Sequence, residues 1–202
     1  MIRWLKTLRE SPFTLGSYLE DLHPDLARHF VSYASELMEP QVVGMGLRLE
    51  EWSDQRLSLL LPGRWKNRNA EGRTSLGVLA SATEMGLRLF WQRHLFGLGG
   101  DLHFSELRVR WLEGQRVFPG ENLNLRIEAS ALGVDEVLVS SQAQGPSQGQ
   151  ALECSWTLPW FNPRQQQVAE VEVVAQVKLL AALPAASTSA RDNWDKAGRS
   201  QK

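Results

Sequence analysis

The sequence predicts an α+β domain in which an antiparallel sheet of about six strands wraps around one long central helix. Two stretches of period-two alternation, residues 42–61 and 106–158, flank a single long helical pattern. Strands that alternate apolar with polar residues have one face to bury, and a helix with a broad apolar stripe is the economical partner for it. The third observation is the count of eight tryptophans in 202 residues, which marks a large aromatic core or a wide apolar pocket.

Residues 1–40 read as an N-terminal helical extension. Thr14–Glu20 suggests one short helix, and a second starts at His23-Pro24 with Leu26, Phe30, Tyr33 and Leu37 as its stripe, Asp25 in its first turn and Pro40 as its stop. Val43, Met45, Leu47 and Leu49 then alternate with Gly44, Gly46, Arg48 and Glu50. After a turn at Trp52–Gln55, Leu57, Leu59 and Leu61 continue the alternation to Pro62-Gly63, which reads as a hairpin. From Gly72 to about Leu95 the residues Leu76, Leu79, Thr83, Leu87, Phe90 and Trp91 form a helical stripe, ended by Gly97–Gly100.

Four more alternating sets follow: Leu107/Val109/Trp111, Leu123/Leu125/Ile127/Ala129, the weaker Val137/Val139/Ser141, and Leu152/Cys154/Trp156/Leu158. Val168–Leu183 reads as a docked helix through Val171, Val174, Val177 and Leu180, and Pro184–Lys202 as a disordered tail. The chain thus divides into a helical extension over 1–40, a sheet-and-helix domain over 41–162, and a C-terminal helix and tail over 163–202.

Composition excludes several classes. Twenty-two Lys and Arg against 23 Asp and Glu give a net charge of -1, the wrong balance for a general nucleic-acid binder. Residues 1–40 hold six acidic and four basic residues, which disfavours reading their two helices as a DNA-binding pair. The single Cys154 offers no internal disulfide and no zinc spacing, and it alternates with Leu152 and Trp156 as a core residue. His23, His29, His94 and His103 are scattered, so no metal site is expected. No apolar run approaches the ~18 residues of a membrane span, and the start lacks a signal-peptide core. The expectation is a cytoplasmic protein with no membrane span.

The chemistry concentrates in Asn67–Glu84. This stretch crosses a strand-to-helix junction, where unpaired backbone N–H groups can hold an oxyanion. Glu84 sits about two and a half turns into the helix, with the small residues Gly77, Ala80 and Ser81 on the same face. They allow a substrate or a second backbone to come close. Two readings of Glu84 stand side by side: a desolvated base, or a surface partner of Arg88 at i+4. Asn67 and Asn69 are likewise either site residues or ordinary turn residues. An inward carboxylate near Asn69 would favour catalysis, and a salt-bridged surface position would favour binding alone. Arg108, Arg110 and Arg126 would either attract phosphates or simply meet water.

The pattern Asn67-x-Asn69-x-x-Gly72, with a carboxylate at Glu84 fifteen residues after Asn69, between two strands and four strands, resembles the hotdog-fold acyl-CoA thioesterase superfamily over roughly residues 40–160. It looks most similar to the small single-domain bacterial thioesterases, whose phenylacetate-type members carry His-Gly-Gly where this chain has Ser75-Leu76-Gly77. The resemblance implies a hotdog fold and a homodimer or dimer of dimers with sites at the subunit interface. It also implies an acyl-thioester substrate, with coenzyme A as part of that substrate and no separate cofactor.

By the same resemblance, Glu84 is the general base or nucleophile, and Asn69 orients the attacking water or the loop. The backbone N–H of Leu76 or Gly77 supplies the oxyanion hole, and Asn67, Gly72, Ser75 and Ser81 line the substrate site. The absent His removes a polar contact, and Leu76 sets a bulky side chain where bare backbone would face the thioester. The alternative is therefore a non-catalytic hotdog protein that binds an acyl ligand or a partner. A hotdog-based transcriptional regulator is disfavoured by the acidic N-terminus.

Overall fold

The computed structural model describes residues 23–38, 40–95, 100–115, 117–143 and 151–179. The first alternating stretch forms a hairpin of β1 (Arg48–Trp52) and β2 (Arg56–Leu61). Its turn is closed by Ser53, whose N–H donates to the Arg56 carbonyl (2.8 Å) while its Oγ accepts the Arg56 N–H (3.1 Å). The expected start of this strand at Val43 is not observed. Gly44 and Gly46 have φ of 81° and 71°, left-handed values that an extended strand cannot hold, so residues 43–47 make a turn instead.

The central helix is α2 (Leu76–Leu95). β3 (Gly100–Trp111) and β4 (Leu123–Glu128) follow, then the short helices α3 (Ala129–Leu132) and α4 (Val134–Ala143), then β5 (Ala151–Phe161) and β6 (Gln167–Leu179). Every pairing is antiparallel, and the six strands lie in the order β1-β2-β4-β5-β6-β3. Leu57, Leu59, Leu125, Ile127, Trp156, Leu158, Val171 and Val173 are buried from the sheet, and Leu79, Thr83, Leu87, Phe90 and Trp91 from α2. Leu107 and Val109 are only half-buried, because β3 lies at the sheet's edge. Leu76, expected in the buried stripe, is 41% exposed at the helix start.

One polar chain runs through this core. Trp160 Nε1–H donates to Thr83 Oγ1 (3.0 Å), and the Thr83 hydroxyl donates to the Leu79 carbonyl (2.8 Å), so all three groups are satisfied without water.

Two elements differ from the sequence reading. Val137 and Val139 belong to helix α4, not to a strand: Val134 and Val137 are buried while Val139 is 64% exposed, a one-sided helical pattern. Gly133, at φ 59°, caps α3 and starts α4. The expected helix over Val168–Leu183 is instead strand β6, paired with β5 on one side and β3 on the other. The sheet-and-helix body therefore extends past residue 162 to Leu179, and the Leu180 end of the supposed helix and the tail from Pro184 lie outside the described residues.

Helix α1 (Pro24–Met38) covers the edge strand β1. Ser32 Oγ accepts the N–H of Leu49 (2.9 Å) and donates to the Arg28 carbonyl (2.7 Å), tying helix to strand. Among the described side chains of α1, Ala27 and Val31 are buried, one position along from the expected stripe: Leu26 and Tyr33 are exposed and Phe30 is half-buried, and the Leu37 side chain lies outside the described residues. The earlier helix at Thr14 lies outside the described residues. Among the described residues, no helix is long and apolar enough to cross a membrane.

The C-terminal turn of α2 half-buries a titratable group. His94 packs on Phe90 (centroids 4.7 Å apart) and edge-on to Trp91 (6.3 Å). Burial lowers its pKa below the usual 6.5, an effect opposed by Asp54 and reinforced by Arg93. Folded and unfolded chains are both neutral at this position well above pH 6.5. Below it the unfolded imidazole takes up a proton first, so stability is lost as pH falls from 6.5 towards the folded value. Thermal unfolding from pH 7.5 down to 5 checks this: His94→Leu should show a shallower fall in melting temperature than wild type, and parallel curves would assign the pH dependence elsewhere.

Candidate active site

The junction between β2 and α2 is built by two asparagines with different duties. Asn67 is buried at 1% exposure. Its Nδ2 donates to the carbonyls of Met45 (3.0 Å) and Pro62 (2.8 Å), and its own carbonyl accepts the Ser75 N–H (2.8 Å). The Asn67 side chain thus pins the 43–47 turn to the end of β2, and the backbone carbonyl of the same residue ties both to the start of α2. Asn69 is exposed. Its Oδ1 accepts the N–H groups of Glu71 (3.0 Å) and Arg73 (3.1 Å), and its carbonyl accepts that of Gly72 (3.0 Å). Gly72 takes φ 78°, which this tight turn requires.

The first helical hydrogen bond runs from the Leu79 N–H to the Ser75 carbonyl (3.1 Å). The N–H groups of Leu76, Gly77 and Val78 therefore belong to the first turn, which has no intrahelical acceptor for them, and the helix dipole adds positive potential there. Leu76 and Gly77 are exposed, and a Cβ placed on Gly77 would meet only Ser75 Oγ, at 3.7 Å. Bare backbone at the positive end of a helix is thus open to an incoming group, with Leu76 beside it. Ser75 and Ser81 are half-buried.

From Gly77 the small face Ala80–Ser81 leads to Glu84, whose side chain is 20% exposed. Glu84 Oε1 accepts from Arg88 Nη2 (2.8 Å) and Nε (3.1 Å), and the Arg88 guanidinium lies 4.9 Å from the Phe104 ring centroid on β3. The carboxylate is therefore partly buried and also ion-paired. Glu84 and Asn69 are not brought into contact: the amide is engaged by its own turn and the carboxylate by Arg88. Sequence reasoning singled out the i+4 pairing but missed Phe104, which anchors Arg88 from strand β3, beyond the helix's end at Leu95, and which no local spacing reveals.

The other candidates resolve simply. Cys154 is buried, and desolvation pushes its thiol pKa up. Arg108 pairs with Glu106, Arg110 with Glu170 and Glu172, and Arg126 with the Gln165 side-chain oxygen. Among the described residues no three His, Cys, Asp or Glu side chains group to hold a metal ion.

A six-stranded antiparallel sheet curled around one central helix, with the helix start open beside the sheet, is the hotdog fold. No family model and no curated protein sequence matches the chain. Solved structures do. A Pseudomonas aeruginosa protein of unknown function, called a probable thioesterase, superposes with a TM-score of 0.60 at 19% identity, covering 75% of this chain and 95% of that one. A mutant thioesterase of the same organism gives 0.53 at 11% identity, covering 74% and 94%. A Haemophilus influenzae thioesterase gives 0.50 at 12% identity, covering 69% and 82%. At these identities the likeness is one of fold.

The two asparagines should separate in experiment. Asn67→Ala removes two buried hydrogen bonds and strands two carbonyls, so denaturant unfolding should show a loss of about 2–4 kcal/mol. Asn69→Ala, on an exposed turn, should lose about 1 kcal/mol or less. Equal losses would contradict the division of roles.

Proposed function

We propose that the protein is a thioester hydrolase acting on acyl groups carried by coenzyme A or by an acyl carrier. The observation that carries the reading is the small-residue face of α2, which runs from open backbone N–H groups at Gly77 to an oriented carboxylate at Glu84. The thioesterase names of several proteins that share the fold support it.

In this reading the thioester oxygen lies at the N–H of Gly77 or Leu76, where the helix dipole favours the negative charge that develops on it. Water attacks the carbonyl carbon while Glu84 takes the water's proton. The tetrahedral intermediate then expels the thiolate as the C–S bond breaks, and the proton passes from Glu84 to sulfur. Arg88 is a positioning residue: it holds the carboxylate, and Phe104 holds Arg88. Asn69 supports the loop, and Asn67, Gly72, Ser75 and Ser81 shape the approach.

The working unit is a homodimer. β3 is an edge strand with no described neighbour on its outer side, and its half-buried Leu107, Val109 and Trp111 leave apolar surface beside α2 that a second copy would cover. A dimer of dimers is the larger assembly in this reading.

A second reading, an acyl-ligand or partner-binding protein without turnover, is favoured by the Glu84–Arg88 ion pair, which already engages the carboxylate. A panel of acyl-CoA substrates with free-thiol detection decides between them. Wild type should release thiol, and Glu84→Gln should lower kcat by about 10²-fold or more at unchanged melting temperature and sedimentation. Thiol release that Glu84→Gln leaves intact would move the base elsewhere, and acyl-CoA binding without any release would establish the second reading.

A further inference from the structure

We propose that the loop before α2 is a nucleotide-phosphate site, with Trp65 as the stacking surface and Arg64 and Lys66 as phosphate ligands, which selects an acyl group carried by coenzyme A. The inference deepens the thioester reading and rests on it for the choice of nucleotide.

The charge distribution points to this place. Most cations of the sheet and helices are neutralised by carboxylates: Arg28 by Asp25, Arg56 by Glu128, Arg88 by Glu84, Arg93 by Asp54, Arg108 by Glu106 and Arg110 by Glu170. The segment 64–73 is different. It holds Arg64, Lys66, Arg68 and Arg73 against the single acid Glu71, in a chain whose net charge is -1. Among the described residues none of these four cations has a carboxylate partner, and Arg68 donates instead to the Gly63 carbonyl (2.6 Å). Unneutralised positive charge on a near-neutral protein is what a multiply charged anion requires.

Aromatic surface lies in the same place. Trp65 is 77% exposed, with Lys66 Nζ 5.9 Å from its ring centroid. The 3-10 turn Trp65–Asn67 that presents them is fixed by the buried Asn67 side chain. Lys66 Nζ lies 3.6 Å from where a Cβ on Gly44 would stand, and the Arg64 guanidinium occupies the space a Cβ on Gly46 would need. Both cations are thus laid over the 43–47 turn, and Lys66 also flanks the exposed indole.

A second pair adjoins the loop. Phe118 is 48% exposed with the Arg164 guanidinium 5.5 Å from its ring centroid, and Pro119 Cγ lies 3.7 Å from a Cβ position on Gly72. The acids nearby are the exposed Glu71 and the half-buried Glu121, the latter accepting the Phe118 N–H (2.9 Å).

Flat aromatic rings flanked by guanidinium and ammonium groups bind a base by stacking and its phosphates by charge-assisted hydrogen bonds. The position suits a carrier. The Asn67 carbonyl accepts the Ser75 N–H, which stitches the Trp65 turn to the start of α2. A thioester held at Gly77 would extend its carrier arm outward past this turn. A long arm ending in an adenosine carrying several phosphates matches both the rings and the charge, whereas an arm ending on a protein leaves the exposed indole without a base.

The test uses the full chain and two exposed-loop variants, Trp65→Ala and the double variant Arg64→Gln/Lys66→Gln, each checked for wild-type melting temperature. Titration calorimetry with adenosine 3′,5′-bisphosphate should show binding to wild type that weakens with added salt, and a loss of about tenfold in each variant. In steady state the variants should raise KM for an acyl-CoA about tenfold at unchanged kcat, with KM for the matching acyl-pantetheine unmoved. No bisphosphate binding, binding indifferent to both variants, or pyrophosphate binding as tightly as the bisphosphate would overturn the proposal. Bisphosphate binding that needs the loop, in a protein that hydrolyses no thioester, would keep the site and sink the thioester reading. Hydrolysis with equal KM shifts for acyl-CoA and acyl-pantetheine would do the reverse.

Discussion

The burial of α2 against the concave side of the sheet is the constraint on which the rest of the molecule depends. Leu79, Leu87, Phe90 and Trp91 are fully buried, each contributing about 1.5–3 kcal/mol of apolar transfer. With that much of its circumference fixed, the helix has one strip left for chemistry. The residues on that strip, Gly77, Ala80, Ser81, Glu84 and Arg88, are small or polar and half-buried or exposed. The Thr83–Trp160 hydrogen bond reinforces the same constraint, since a rotated helix would leave a buried indole N–H without an acceptor. Packing therefore determines which face carries the carboxylate, and Asn67 determines where the helix begins.

The fold was legible in the sequence because its strongest signal, a long apolar helix between alternating strands, is also its largest energetic term. The misread elements are those where two periods coincide. In β6 the set Val171, Val174, Val177 satisfies a helical spacing, while Val171, Val173, Ala175 and Val177 satisfy a strand. The density of β-branched valine favours the strand, which is the element observed. In α4 the valines at 137 and 139 mimic an alternation too short to separate from a helix, although Asp135 and Glu136 in its first turn mark a helix start. The start of β1 was misplaced because the alternation continues through Gly44 and Gly46, whose left-handed backbone only the structure reveals.

The candidate site was legible as a stretch of sequence but not as a set of contacts. Spacing picked out Asn67, Asn69, Gly72 and Glu84, yet their partners lie far along the chain: Met45 and Pro62 for Asn67, and Phe104 behind Arg88 for Glu84. Spacing also could not tell the buried latch from the exposed turn, because both are asparagines two residues apart. The cations of the 64–73 loop, which have no carboxylate partner among the described residues, stand out only against ion-paired arginines such as Arg56, Arg108 and Arg110 of the sheet.

The central claim is that the reacting group lies on the free strip of α2, between the N–H of Gly77 and the carboxylate of Glu84. A crystal structure of the full chain with a non-hydrolysable thioether analogue of an acyl-CoA tests it most directly. The account predicts the analogue's carbonyl oxygen within hydrogen-bond distance of the Gly77 or Leu76 N–H, with Glu84 facing the carbonyl carbon through one water. An analogue bound away from the start of α2, with the strip left empty, would contradict it.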